Sequence, residues 1–392
     1  MESKNILILS HKPPYPKVDG GSVAIAQLLE ILIDQNHSVT FIGMETDKNP
    51  AQKKINHKNL KYNTVYTNTK ISLWGAFKNL FHQKSYILSR FHSQLFQKKL
   101  EDTLKEKRFD LIIFESLFTS SYLKSVLELT KTKIIYRCHN IEHLIWKTKI
   151  EHTKNYFLKN YLNLQANRLK KEELTFWNTN ITIAPISEFD KDIISQNSTS
   201  KIELLNLFLE DRHMIDSDFS TKKDFFHIGS MDWLPNLDGV KWFIDNVWAE
   251  IHAEDNSLEF HIAGKEMPKK KFYKYSEGLI NHNYVENAIE FISEHNIMIV
   301  PLFSGSGMRV KIIEGMALGK CIISTSLGAQ GIPYENGKNI LIANTKEEFI
   351  KLIRFCTLSP NKAMEIGQEA KKLVKEKFSK SNTINQLLKL IK

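Results

Sequence analysis

The chain has 392 residues, 42% hydrophobic and 25% charged, which suits two globular domains and argues against a disordered chain. Its three scattered cysteines, Cys138, Cys321 and Cys356, show no Cys-x-x-Cys spacing, so they offer neither a disulfide framework nor a cysteine zinc site and indicate a reducing compartment. The formal charge of +10 is uneven: residues 1–200 carry 29 Lys+Arg against 19 Asp+Glu, residues 201–392 carry 25 of each, and residues 51–100 carry ten basic residues and no acidic one. An anionic partner (a membrane surface, a phosphorylated acceptor or nucleic acid) accounts for that excess, and so does a solvated basic face.

In chain order, the apolar runs Ile6–Leu9, Ser38–Ile42, Leu111–Phe114, Lys133–Tyr136 and Ile181–Ala184 read as buried strands. Between the first two, Ser22–Gln35 carries an apolar stripe at helical spacing, with Ser22 as the expected N-cap. The pattern restarts at Phe225–Gly229 and continues through Phe260–Ala263, Ile297–Pro301, Cys321–Ser324 and Ile340–Ile342. Continuous apolar strands alternating with amphipathic helices predict parallel sheets covered on both faces. The expected division is a first domain over 1–205, a linker over 206–223, a second domain over 224–375 and a C-terminal helix over 376–392 that returns to the first domain. Two doubly wound domains are expected to hold a ligand at the C-terminal ends of their strands. No segment reaches the ~18–20 apolar residues of a membrane-spanning helix, and the N-terminal MESKNILILS lacks a signal peptide's length and cleavage site. The expected location is the cytoplasm, with the inner face of the membrane as a peripheral alternative.

The stretch from Pro301 to Lys320 carries the most chemistry. A glycine-bearing loop with Gly305, Ser306 and Gly307 follows a strand, and a helix is expected to begin near Met308. Glycines let backbone N–H groups approach a ligand, and a helix N-terminus attracts anions. Arg309 and Lys311 place two cations in the first turn, where the helix dipole alone disfavours them; a bound diphosphate resolves that misfit. Glu314, one turn on, is placed to accept hydrogen bonds from ribose hydroxyls.

Here the sequence resembles the retaining family 4 glycosyltransferases of GT-B fold. Glu314 matches the second Glu of the family's Glu-x7-Glu segment, and Gly319-Lys320-Cys321-Ile322-Ile323-Ser324-Thr325 matches the Gly-x-Pro-Val-Val-Ser-Thr pattern that follows. The resemblance covers nearly the whole chain. It departs from the family at Ser306, where the first Glu is expected, and at Cys321, where Pro is usual. The loop Gly229-Ser230-Met231-Asp232-Trp233-Leu234-Pro235-Asn236 lacks the family's diphosphate-binding Arg, which shifts the phosphate charge onto Arg309 and Lys311. Gly229, Ser230 and Met308 join the substrate-binding candidates. The family places the loop containing Gly20 and Gly21 against the donor phosphate and acceptor, and carries a donor-contacting His near the position of His139. Arg137, Glu142, His143 and Glu115 are weaker candidates of the same strand ends. The regions near Gly264-Lys265 and Tyr284-Val285-Glu286 are candidates for reading the base and sugar.

The resemblance implies transfer of a hexose-type unit from a nucleoside diphosphate sugar to a hydroxyl of a glycan or lipid-linked acceptor, with retention, no metal and no cofactor beyond that co-substrate. The catalytic candidates are His139, Arg309, Lys311 and Glu314. Asp216-Ser217-Asp218, which has metal-binding Asp-x-Asp spacing, reads as a solvated turn, and His139/His143 lack a zinc-protease order. Basic and aromatic residues over 70–100 (Leu73, Trp74, Phe77, Leu80, Phe81, Tyr86, Ile87, Phe91, Leu95 and Phe96) read either as helices packed on a core or as a face for an anionic membrane, within a basic region spanning 51–100. Two rival readings remain open: a sugar-nucleotide epimerase of GT-B fold, and a non-catalytic nucleotide- or nucleic-acid-binding protein, although no nucleic-acid motif is present and no such partner is expected.

Overall fold

A computed structural model describes residues 2–17, 19–51, 57–151, 153–210, 224–268, 277–305 and 307–392. The chain forms two compact units, residues 1–207 with 384–392, and residues 208–383. Ser306 and the Asp216-Ser217-Asp218 turn lie outside the described residues, as does most of the 206–223 segment.

The first unit is built on a seven-stranded sheet: β1 (Asn5–Ser10), β2 (Ser38–Glu45), β3 (Leu60–Tyr66), β4 (Leu111–Glu115), β5 (Lys133–Cys138), β6 (Thr182–Pro185) and β7 (Lys201–Ile202). Its order is β3-β2-β1-β4-β5-β6-β7 and its paired strands are parallel. The second unit holds β8 (Asp224–Ile228), β9 (Glu259–Ala263), β10 (Leu279–Asn281), β11 (Ile297–Val300), β12 (Cys321–Ser324) and β13 (Leu341–Ile342). These run parallel in the order β10-β9-β8-β11-β12-β13. Both sheets thus reverse direction beside their first strand, at the β1/β4 and β8/β11 junctions, where open α/β sheets hold ligands.

Period-two alternation explains why these strands read as continuous apolar runs. In β8, β9 and β11, Phe225, Phe260, Ile262, Ile297 and Ile299 enter one buried cluster. Their neighbours Phe226, Ile228, Ala263, Met298 and Val300 enter the other. Each face is covered, so both side-chain sets must be apolar. The edge strands β3 and β10 escaped the sequence reading because they are only partly buried.

Two helix starts differ from expectation. The first helix spans Gly20–Asp34, and its N-cap is Asp19, with Ser22 at N3 completing a capping box. The Asp19 side chain accepts from Ser22 N–H at 2.8 Å and Ser22 Oγ accepts from Asp19 N–H at 3.0 Å. A carboxylate three residues upstream takes the cap, and Ser22 supplies the reciprocal acceptor. The helix after β11 starts at Val310, two residues past Met308, with Arg309 as its N-cap. The C-terminal helices span Pro360–Lys377 and Lys380–Ile391. The end of the latter docks on the first unit, where Lys133 Nζ donates to Leu390 O at 2.7 Å.

Of residues 70–100, Ile87 and Phe96 are core, whereas Leu73, Trp74 and Phe81 are 88%, 64% and 79% exposed. The stretch therefore divides: its second half packs as a core helix does, and its first half presents aromatics outward from the Leu73–Asn79 helix.

Candidate active site

In the second unit, the loops after β8 and β11 and the helix Val310–Ala317 meet at the strand-order reversal. Lys311 Nζ donates to Asn236 Oδ1 at 2.8 Å and lies 3.2 Å from His227 Nε2. The other ring nitrogen, His227 Nδ1, lies 2.8 Å from Ile299 O. That carbonyl can only accept, so Nδ1 carries the proton and Nε2 accepts from the lysine. Asn236 Nδ2 in turn donates to Ser230 O at 2.9 Å. The whole chain Ile299–His227–Lys311–Asn236–Ser230 is thereby satisfied with neutral partners. A Cβ at Gly229 would lie 2.7 Å from Asn236 Nδ2 and 3.0 Å from Lys311 Nζ, so only glycine lets the backbone pass this close to the ammonium.

Burial, followed by the charge of Arg309, depresses the Lys311 ammonium from its ordinary value to about 7. Among the described residues, no carboxylate pairs with it. Arg309 is itself buried, and burial lowers its guanidinium to about 10. Its Nη1 donates to Gly307 O and its guanidinium lies over the Trp233 ring at 5.1 Å. Gly305 adopts φ +94°, and a Cβ there would meet Trp233 Cζ2 at 2.7 Å. The glycine thus serves both the left-handed turn and the aromatic shelf under Arg309. Glu314 sits half-buried one turn further along the helix, and Gly307 and Met308 complete the loop that leads into Arg309.

The candidate base-reading loops are tied to this site. Met231 N–H donates to Lys265 O at 2.9 Å, and Lys265 Nζ lies 5.8 Å from the centre of the Tyr284 ring.

In the first unit, the corresponding strand ends gather charged groups of both signs. Glu115 closes β4 and is fully buried. His139, directly after β5, contacts one of its carboxylate oxygens through Nε2, and Arg137 Nη1 reaches the other at 3.3 Å and Ala24 O at 2.7 Å. Burial alone would raise the Glu115 carboxyl, but Arg137 and His139 offset it and hold it below the usual carboxylate value. His11, after β1, is kept neutral: burial, then Lys12 and His139, lower it to about 3. Lys12 pairs with Asp19 at 2.7 Å, and a Cβ at Gly21 would lie 2.5 Å from Lys12 Nζ. Gly20 and Gly21 are the first two helical residues and not a free loop, and the small size of Gly21 admits the lysine to the helix N-terminus.

Nearby, Glu173 is fully buried and accepts from the backbone N–H of Glu142 and His143, both at 3.0 Å, and contacts His143 Nδ1 at 2.8 Å. It is the cap of the helix Glu142–Glu151 supplied from a distant helix, and that explains the conjunction of Glu142 and His143 without a metal. Burial, then Glu173, raise the Glu142 carboxyl to about 8.

His227, Lys12 and His11 were missed by sequence reasoning. His227 looks like any strand residue, and the two loop residues adjoin a Pro-rich turn whose geometry the sequence does not give. Trp233 and Asn236 were visible in the Gly229–Asn236 motif, but without a role.

Residues 222–357 match the family model described as Glycosyl transferases group 1. That span carries the match to the glycosyltransferase domain, and the chain as a whole has the GT-B fold. All second-unit candidates from Gly229 to Glu314 lie within the matched span. Among solved structures, the chain is similar to sucrose-phosphate synthase from Thermosynechococcus elongatus, at TM-score 0.73 and 13% identity over 99% of this chain and 98% of that one. It is also similar to Anabaena HepE in complex with UDP, at TM-score 0.67 and 11% identity over 99% of each chain. In sequence it is 23% identical over 401 residues to the "Uncharacterized 44.6 kDa protein in cps region" of Klebsiella pneumoniae, covering 98% of this chain and 99% of the relative.

Proposed function

We propose that the protein transfers a sugar from a nucleoside diphosphate sugar to a hydroxyl acceptor, with the diphosphate held at the β8/β11 junction. The observation that carries this reading is Lys311: a buried ammonium whose described hydrogen bonds go only to neutral groups, beside Arg309 and a helix N-terminus. Such a charge is costly without a counter-ion, and a diphosphate supplies one. The family match and the UDP complexes of HepE support the donor class.

The difficult step is departure of the diphosphate from the anomeric carbon. Lys311, Arg309 and the first N–H groups of the Val310–Ala317 helix are fixed donors aimed at the charge that develops on that leaving group. Glu314 is assigned to the ribose, and His139, oriented by Glu115, to the donor sugar. Retention and a glycan or lipid-linked acceptor belong to the same reading. The outward Leu73, Trp74 and Phe81 among basic residues support a peripheral contact with an anionic membrane; sedimentation with anionic but not neutral vesicles is the expected result.

Thermal unfolding across a panel of nucleoside diphosphates and their sugars tests the proposal. One nucleotide class raises the Tm, by about 2.7 kcal/mol of stabilisation at a hundredfold excess over Kd, and Arg309→Ala abolishes the rise. No shift with any nucleotide contradicts the reading. Product analysis with donor alone then separates transfer from epimerisation, which needs no acceptor.

A further inference from the structure

Three histidines converge on the second sheet. His261 lies on β9, His282 follows β10, and His295 precedes β11. One ring nitrogen from each lies within 4.8 Å of the other two. His261 Nδ1 and His282 Nε2 are 2.9 Å apart, and the His261 and His295 rings are 4.3 Å apart, centre to centre.

Hydrogen bonds at two of the rings settle which of their nitrogens face the cluster. His295 Nδ1 donates to Asp224 Oδ2 at 2.7 Å, and His261 Nε2 lies 3.3 Å from Glu259 Oε2. A carboxylate accepts only, so each of these nitrogens carries the proton and the opposite nitrogen presents a lone pair. His295 is 5% exposed, and its Nε2 has no hydrogen-bond partner among the described residues. A buried polar atom left so is uncommon and calls for a reason.

We propose that His261, His282 and His295 form a binding site for a divalent transition-metal ion of the zinc class. Three imidazoles suit zinc, copper or nickel rather than magnesium or calcium. Zn–N bonds of about 2.0–2.1 Å place tetrahedral donors about 3.4 Å apart, between the 2.9 Å and 4.8 Å of this cluster. Asp224 and Glu259 each hold the distal N–H of a ligating ring, the arrangement that fixes the tautomer of metal-bound histidines. His282 is exposed, which gives the ion a route in and leaves the fourth position for water. The ion ties edge strand β10 to β9 and to the turn before β11. Asp224 stands at the opposite end of β8 from Gly229.

The test is metal content and titration of the tag-free chain with Zn2+, and with Co2+ as the visible probe. One equivalent of Zn2+ per chain, a Tm rise reversed by chelator, and tetrahedral Co2+ bands are expected. His295→Ala removes the equivalent, and His282→Ala, at an exposed position, weakens binding at least tenfold while leaving the chelated protein's Tm unchanged. If His295→Ala does not fold, His282→Ala decides. Absence of stoichiometric Zn2+ binding, or binding unaltered by His282→Ala, overturns the proposal.

Discussion

The two sheets share one strand order up to their sixth strand, yet their reversal points settle charge differently. At β1/β4, each buried ion has an opposite partner: Glu115 lies between Arg137 and His139, and Lys12 pairs with Asp19. At β8/β11, Lys311 and Arg309 stand together, and the lysine's described contacts are neutral. The first junction balances its charges pairwise, whereas at the second the described partners of the lysine are all neutral. The same strand order thus carries two different charge arrangements, and the residues at the strand ends set the difference.

The largest expected effect comes from breaking the compensated junction. Glu115→Gln leaves Arg137 buried without its carboxylate and costs about 3–5 kcal/mol in urea unfolding of the first unit. The depressed Glu115 carboxyl contributes stability that is present above its unfolded value near 4.5 and is lost as pH falls through its lower folded value. In Glu115→Gln that acid-side loss is absent.

The second junction answers in the opposite sense. Lys311→Met weakens nucleoside diphosphate binding by about 2–4 kcal/mol, read by titration calorimetry, while leaving stability unchanged or raising it. With the folded ammonium at about 7 and the ordinary value of 10.5, the unfolded chain binds more protons between those pH values. Stability of the free protein therefore gains from this group as pH rises from about 7 toward 10, and Lys311→Met removes that gain.

Glu142 runs against the balance of the first unit, because its acid is held neutral by burial and Glu173. Raised to about 8, it gives stability that is full below about 4.5 and lost as pH rises to 8. Glu142→Gln removes this slope and stabilises the chain by about 1–3 kcal/mol at pH 7; thermal melts across pH 4–8 measure it. The smallest effect is at Gly305. Alanine there strains the left-handed turn and displaces Trp233 from Arg309, costing about 1–2 kcal/mol, roughly tenfold, in nucleotide affinity.

Much of this was legible in the sequence, for identifiable reasons. Strands buried on both faces announce themselves as unbroken apolar runs, so β1, β8 and β11 stand out, whereas the half-exposed β3 and β10 do not. The loop from Gly305 to Arg309 was readable because cations at a helix start oppose the dipole and demand an explanation. Its partners were not readable. His227 reaches Lys311 across 84 residues, and only tertiary packing brings them together. The same holds for His261, His282 and His295, whose spacings fit no local metal motif. Asp19 outranked Ser22 as cap because a capping box has two members, and the sequence offers both without saying which leads.

The most direct test of the central claim is calorimetry of the binding nucleoside diphosphate at pH 8, repeated in buffers of different ionisation enthalpy. At that pH Lys311 is largely neutral in the free protein, and a diphosphate beside it favours the ammonium. The account predicts net proton uptake on binding to the wild-type chain and none with Lys311→Met. Tight binding with no proton uptake, or uptake unchanged in Lys311→Met, would place the diphosphate elsewhere and contradict the assignment of the β8/β11 junction.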